Sequence, residues 1–330
     1  MTLESVKSIS RIQHLIPMKI ATYITHTIVD AWNFREEHAE IIRRRIPDAD
    51  IQICSTEQEF MAALQGADVV LTWTFRQEWF ALAPNLKVIS TPAAGKDYFH
   101  VVPPAHVKML NGHFHGEIIA ETVVAMILGM IRGLLPNATL YAELPWARAE
   151  LSPKLRTLRG SNVTILGFGH IGRWIGRLLK PFGTKSIWGM TRHGDAPVPE
   201  WFTANDKIFT NDELETRLRE TEHLVLALPS TTGTDGMVGA GELGLLPKGA
   251  TVTNIGRGNS LDEAALVQSL RNGHLGGAVL DVFAKEPLDA QSPLLSCPNL
   301  WRLPHASAIA PNYLSLYSEE VSAELEAALS

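Results

Sequence analysis

The chain of 330 residues is 45% hydrophobic and 19% charged, with a net charge of -6 at neutral pH. Its length fits two domains of unequal size, each able to bury its own core. The absence of a basic excess argues against nucleic acid or an anionic membrane as partner and in favour of a small molecule. Only two cysteines occur, Cys54 and Cys297, far apart and outside any CxxC or Cys/His cluster. They suggest neither a disulfide framework nor a zinc site, read most simply as packing residues, and point to a reducing, cytoplasmic compartment.

The first 17 residues carry Lys7 and Arg11 but no continuous apolar region or small-residue cleavage site, so they do not read as a secretory signal. Met18 directly precedes the first strand-like run, which makes this leader either a dispensable extension or a start-site artefact. From Lys19 on, short β-branched runs alternate with helical segments, the pattern of a parallel α/β layer. Strands are expected at Lys19 to Ile24, Ile51 to Cys54, Asp68 to Thr72 and Lys87 to Thr91. Amphipathic helices are expected at Trp32 to Arg45 and Thr56 to Leu64, ended by Pro47 and Gly66. A bridging helix, Glu117 to Gly133, is followed by a loop from Pro136 to Gly160. The apolar stretch Ile118 to Leu135 is interrupted by Glu121, Thr122 and Arg132, so it makes a poor membrane span and a good buried helix.

A second alternation begins at Val163, with strands at Val163 to Leu166, Ser186 to Gly189, His223 to Leu228, Thr251 to Ile255 and Gly277 to Asp281. The last segment, Asn312 to Leu329, reads as a helix with no following strand to feed. It is free to pack back on the first domain, which would make that domain discontinuous. No internal repeat or low-complexity tract is evident.

Chemistry first enters at Val163-Thr-Ile-Leu-Gly167-Phe-Gly169-His170-Ile171-Gly172, a GxGxxG run after a β-branched strand and before the helical Arg173 to Lys180. In that setting the first glycine makes the tight turn, the second lets the backbone approach a pyrophosphate, and the third permits close helix packing. The helix N-terminus then faces the phosphates with unpaired N–H groups. His170 sits inside this loop, where its ring is placed to touch a phosphate or to face solvent. The next strand ends Trp188-Gly189-Met190-Thr191-Arg192-His193, with no carboxylate before Asp195. A carboxylate there would bind the ribose 2′-hydroxyl, whereas an arginine offers a donor fork to a 2′-phosphate. NADP is therefore favoured over NAD. The alternative leaves Arg192 as a solvated cation and gives the ribose to Asp195.

Further on, Asn254-Ile255-Gly-Arg257-Gly258 puts an arginine just past a buried strand, at the face where open α/β sheets bind ligands. Leu280-Asp281-Val-Phe-Ala-Lys-Glu286-Pro287 puts two carboxylates at the end of the following strand, and Leu303-Pro304-His305 ends another. With Leu158-Arg-Gly160, Leu228-Pro229 and Ser292-Pro-Leu-Leu, this ordered set resembles the D-isomer-specific 2-hydroxyacid dehydrogenase family, over about Lys19 to the C-terminus.

The resemblance implies a Rossmann doubly wound cofactor domain, residues 113–307, inserted into a smaller flavodoxin-like α/β catalytic domain, residues 1–112 and 308–330. It also implies roles. Arg257 would clamp the substrate's carboxylate and carbonyl oxygen, His305 would be the acid/base, Glu286 would hydrogen-bond the imidazole, and Asp281 would meet the nicotinamide carboxamide. Pro229 and Ile255 would line the cofactor site. The loop Thr91-Pro-Ala-Ala94-Gly95 would bind the substrate carboxylate through the N–H groups of Ala94 and Gly95, although Lys96 and Tyr98 depart from the usual pattern. Trp73, after the third strand, would line the same cleft or stay a partly exposed loop aromatic. A carboxylate-paired imidazole keeps its protonated form populated near neutral pH, as reduction of a keto group requires.

The expected activity is reduction of a small 2-keto acid of the glyoxylate or hydroxypyruvate type to the D-2-hydroxy acid. The rival expectation is a dinucleotide-sensing binding protein of the corepressor type on the same fold, since fold alone does not decide function. His113, His115 and Glu117 alternate at a strand-to-helix junction, and hydride transfer needs no metal, so none is expected. A homodimer is expected, with the helix Glu117 to Gly133 and the loop around Trp146 against a second copy. The motive is that Val123, Val124, Met126, Ile127, Met130 and Ile131 are apolar around more than one helix face.

Overall fold

The computed structural model describes residues 17–95, 100–141 and 143–329. The leader before Pro17, and Lys96 and Tyr98 of the carboxylate loop, lie outside them. The chain forms two compact units. Of the described residues, one unit holds those up to Phe114 and from Ala310 on; the other holds those from His115 to Ile309 and so interrupts the first in sequence.

The first unit carries the strands β1 (Lys19–Tyr23), β2 (Asp50–Ile53), β3 (Val69–Thr72), β4 (Val88–Thr91) and β5 (Lys108–Asn111). They form one parallel sheet in the order β2-β1-β3-β4-β5, the flavodoxin-like order. The β-branched runs of β3 and β4 are buried at every position, as strands covered on both faces require. Helix α1 (Glu36–Arg45) begins later than the expected Trp32. Asn33 is the reason: its side chain accepts from the His26 N–H at 2.8 Å and donates to the His26 carbonyl at 3.1 Å, holding the chain in a loop. Helix α2 (Glu57–Leu64) is capped by the Thr56 hydroxyl, which accepts from the Glu59 N–H. The closing helix Tyr313–Leu329 packs on α1 and inserts Tyr317, whose hydroxyl lies 2.9 Å from the Ser90 hydroxyl.

The second unit opens with α3 (His115–Ile131), α4 (Leu134–Leu140) and α5 (Arg148–Leu151). It continues through β6 (Asn162–Leu166), α6 (His170–Leu179), β7 (Ser186–Met190), β8 (Lys207–Phe209), α7 (Leu214–Leu218), β9 (His223–Leu226), α8 (Ala240–Leu245), β10 (Thr251–Asn254), α9 (Glu263–Arg271), β11 (Gly277–Leu280) and β12 (Leu300–Arg302). Its seven parallel strands run β12-β11-β10-β9-β6-β7-β8, so the order reverses between β6 and β9, the switch point where such sheets bind dinucleotides. The expected fold is thus present: two parallel α/β sheets, one inserted in the other's chain.

Three details were not foreseen. Strands β5 and β8 are short edge strands without the β-branched pattern of their neighbours. Helix α4 occupies part of the expected loop, because Pro136 sits in its first turn, where no N–H partner is lost. The breadth of the apolar surface on α3 also has an internal explanation. Val123, Met126, Ile127, Met130 and Ile131 are buried in the second unit's own core with Val163, Ile165, Ile175 and Ile187. The exposed apolar side chains lie beyond α3, at Leu134, Tyr141 and Trp146. No single helix among the described residues is long and apolar enough to cross a membrane.

Candidate active site

The loops after β6, β9, β10, β11 and β12 all leave the carboxyl edge of the second unit's sheet, and they carry nearly every candidate residue. After β6 the chain turns at Gly167, whose φ of +91° is a left-handed conformation that suits glycine. A Cβ there would lie 2.7 Å from the Ala227 carbonyl carbon, so the turn is pressed onto the loop after β9. A Cβ on Gly172 would run into the carbonyl of Gly167, which makes it the close-packing glycine. Gly169 differs: a Cβ there meets nothing within 4 Å, leaving open space in front of the α6 N-terminus. The three glycines thus divide their work as a pyrophosphate-binding turn requires. His170 starts α6 and its ring lies over Gly116 of α3, close to where a Cβ on that glycine would stand. Ile171 is partly buried behind the turn.

Beyond β7, Arg192 is exposed and its side chain makes no hydrogen bond or ion pair with any described residue. The neighbouring Thr191 hydroxyl donates to the His193 carbonyl at 2.7 Å, which shapes this turn. Pro229 ends the segment after β9, and its carbonyl accepts from the Thr234 hydroxyl at 2.6 Å. Ile255 is buried just after β10.

Arg257 stands next on a tightly fixed loop. Its carbonyl accepts from the Ser260 hydroxyl at 2.7 Å and the Asn254 amide at 3.2 Å, and its Nη1 donates to the Gly256 carbonyl at 2.9 Å. Gly258 lies so close to the Phe283 backbone that any Cβ would overlap it. That contact ties the arginine loop to the glutamate loop, where Glu286 Oε1 accepts from the Phe283 N–H at 2.9 Å. The other carboxylate oxygen, Oε2, lies 2.8 Å from His305 Nδ1. With Nδ1 committed to the carboxylate, Nε2 is the nitrogen left for proton exchange. Both side chains stay partly open to solvent, 42% for His305 and 36% for Glu286. They share a cavity of about 520 Å³ with Phe283, Leu288 and Leu303.

Asp281 lies at the root of this arrangement and is fully buried. Its Oδ1 accepts from the Ala306 N–H at 2.7 Å, and both oxygens accept from the Ser307 N–H, at 3.2 and 3.1 Å. These bonds tie the carboxylate to the chain just after His305.

In the first unit, Trp73 is partly buried after β3 and donates to the Trp32 carbonyl at 3.4 Å, with Trp32 and Tyr313 tilted against its ring. After β4, Ala94 is exposed and Gly95 half-buried. The Asn111 amide holds their loop, donating to the carbonyls of Gly95 at 3.2 Å and Ala93 at 3.4 Å. Asn111 and Thr122, whose hydroxyl donates to the Ser307 carbonyl at 3.0 Å, were missed in the sequence. The only signal for either was a polar residue ending a short strand or interrupting an apolar helix. His113 and Phe114 donate their backbone N–H groups to the Glu320 carboxylate, and no cluster of three metal-ligating side chains occurs among the described residues. Cys54 and Cys297 are buried free thiols; burial, with Glu59 adding to it, pushes the Cys54 thiol up to about 11.

The chain is similar to known proteins. Residues 124–307 match the model of the D-isomer specific 2-hydroxyacid dehydrogenase, NAD binding domain. The glyoxylate/hydroxypyruvate reductase B of Pectobacterium carotovorum is 34% identical over 228 residues, 68% of this chain and 69% of that one. The glycerate dehydrogenase of Methylorubrum extorquens is 27% identical over 289 residues, 82% of this chain and 86% of that one. Among solved structures, a D-isomer specific 2-hydroxyacid dehydrogenase from Xanthobacter autotrophicus in complex with NADPH and MES superposes with a TM-score of 0.72 at 26% identity, covering 94% of this chain and 96% of that one. The chain belongs to the D-isomer specific 2-hydroxyacid dehydrogenase family. It is an NAD(P)-dependent oxidoreductase of that family.

Proposed function

We propose that the protein reduces a small 2-keto acid of the glyoxylate or hydroxypyruvate type to the 2-hydroxy acid, of D configuration where a centre forms, and that it prefers NADPH. The observation that carries the reading is the 2.8 Å imidazole–carboxylate bond on the same sheet edge as the arginine loop and the glycine turn. The open space beside Gly169 and the close packing of Gly167 and Gly172 fit a dinucleotide pyrophosphate at the α6 N-terminus, flanked by His170 and Ile171. Pro229 and Ile255 wall the same side. When bound, the reduced cofactor supplies the hydride.

The chain's own residues do the rest. Arg257 holds the substrate carboxylate and the carbonyl oxygen. Protonated His305 gives its Nε2 proton to that oxygen as negative charge develops there. Glu286 steadies the imidazolium through Nδ1 and fixes the ring's orientation. Arg192 is exposed and unengaged at the end of β7, which suits a 2′-phosphate. The working form is a homodimer, supported by Leu134, Tyr141 and Trp146, which are 68%, 62% and 78% exposed in one region of the chain.

The test is cofactor oxidation followed with NADPH and NADH across a panel of 2-keto acids. His305→Ala and Arg257→Ala are run beside the native enzyme. Each should lose about 10²- to 10⁴-fold in rate while still binding dinucleotide. Near-normal turnover in both variants removes the pair from the mechanism.

A further inference from the structure

The acid/base histidine stands on an unusual piece of backbone. His305 has a φ of +53°, one of two non-glycine residues among those described with positive φ. Few non-glycine residues adopt that conformation, histidine more readily than most, and it persists where the surroundings hold it against a modest cost. Three features hold it. The His305 N–H donates to the Asp281 carbonyl at 2.9 Å. The Asp281 carboxylate takes the next two N–H groups, those of Ala306 and Ser307. From the other side, the Thr122 hydroxyl of α3 donates to the Ser307 carbonyl at 3.0 Å.

A fully buried carboxylate is costly unless it is well engaged, and bonds to an ionised acceptor are about twice as strong as neutral ones. Asp281 is completely buried, and its carboxylate accepts from the turn that presents His305. We propose that Asp281 and Thr122 form a two-sided clamp on the Pro304–Ser307 turn, acting as positioning residues that hold the His305 imidazole against Glu286 and toward the substrate. Asp281 thereby acts on the proton-transfer step through the backbone. The proposal rests on the reading of His305 as the acid.

The clamp predicts a pattern that a contact between Asp281 and the nicotinamide carboxamide does not. Misplacing a reacting group by about 1 Å costs on the order of 10²-fold in rate. Asp281→Asn keeps one acceptor oxygen but removes the charge and puts an NH₂ in place of the oxygen 3.1 Å from the Ser307 N–H, so kcat should fall about 10- to 100-fold. The keto-acid KM should change only a few-fold and the dinucleotide Kd should stay put. Thr122→Val, a near-isosteric change that removes one hydroxyl, should show the same split with a kcat loss of about two- to tenfold. It also keeps the idea testable if the aspartate variant folds poorly.

Both variants are assayed with the natural cofactor and with its reduced 3-acetylpyridine analogue, which lacks the carboxamide NH₂. Under the clamp, the fold-loss is the same with either cofactor. Two results overturn it: a loss with Asp281→Asn that disappears with the acetylpyridine analogue, or kcat within twofold of native in both variants. His305→Ala is measured in parallel. If it turns over normally, the acid assignment fails; if it is inactive while the clamp variants are not impaired, only the clamp fails.

Discussion

Replacing Gly169 by alanine separates what the glycine turn does for the fold from what it does for the ligand. The residue has a φ of -81°, which alanine adopts, and the added methyl meets nothing within 4 Å. Stability should therefore change by less than about 1 kcal/mol, the range for a glycine-to-alanine change at a compatible backbone. Affinity should change much more, because the methyl occupies the space through which the backbone approaches the pyrophosphate. Losing one charge-assisted bond costs about 1.5 to 3 kcal/mol, or roughly 10- to 150-fold in Kd. NADH and NADPH should weaken by the same factor, since the pyrophosphate is common to both.

Gly167→Ala is the control with the opposite signature. Its φ is +91° and its methyl would stand 2.7 Å from the Ala227 carbonyl carbon and 3.1 Å from the Leu228 nitrogen, backbone atoms that cannot swing away. Left-handed strain and overpacking together cost about 2 to 5 kcal/mol. Urea unfolding reads the first quantity, and quenching of protein fluorescence by titrated cofactor reads the second. If Gly169→Ala binds both cofactors as tightly as the native protein, the backbone does not approach the phosphates there and the reasoning fails.

Arg192→Ala should raise the NADPH KM about 10- to 150-fold and leave the NADH value nearly unchanged; equal weakening of both, or equal use of both by the native enzyme, assigns the ribose to Asp195 instead. Glu286→Gln keeps the size of the side chain but removes the charge that steadies the imidazolium 2.8 Å away, so kcat for keto-acid reduction should fall about 10- to 100-fold; kcat within twofold of native counts against the pairing. Burial pushes the His223 imidazole down to about 4, so the unfolded chain, near 6.5, takes up its proton first. Its contribution is present above about pH 6.5 and is lost as pH falls toward 4, by about 3 kcal/mol. In His223→Gln, which retains a partner for the Thr251 hydroxyl, the urea midpoint should fall less steeply over that window, and an identical slope would refute the assignment. Sedimentation at micromolar concentration should return twice the chain mass, and Trp146→Glu should shift it toward the monomer; a monomeric native protein disposes of the dimer.

The sequence made the sheet strands and the chemistry-bearing loops legible for one physical reason. A parallel strand buried on both faces reads as a short run rich in aliphatic and β-branched residues, so β3, β4, β6, β9 and β10 announced themselves. The loop after such a strand leaves the sheet at its carboxyl edge, so Gly167, Arg257, Glu286 and His305 could be assigned to one edge before any coordinates. Strand order completes the case. β10, β11 and β12 are neighbours in the sheet, and adjacent strands lie about 4.8 Å apart, so three loops well separated in sequence emerge within roughly 10 Å of one another.

The supports of those loops were not legible, because backbone acceptors and donors carry no side-chain signature. Thr122 read as a polar interruption of an apolar helix, and its value as a donor exists only because the Ser307 carbonyl arrives opposite it. Asn111 belongs to no motif, yet its amide braces the loop of Ala94 and Gly95. Asp281 was legible as a carboxylate at a strand end, but its burial and its bonds to Ala306 and Ser307 come from the path of the chain after β12. The side chains assigned to react with a substrate are constrained by chemistry and reveal themselves by type. Those that hold them need only one oxygen or one N–H in the right place, which many residue types supply. Precision at the His305 turn is therefore written in the tertiary path of the chain rather than in its motif, and the clamp variants are the direct measure of how much rate that precision carries.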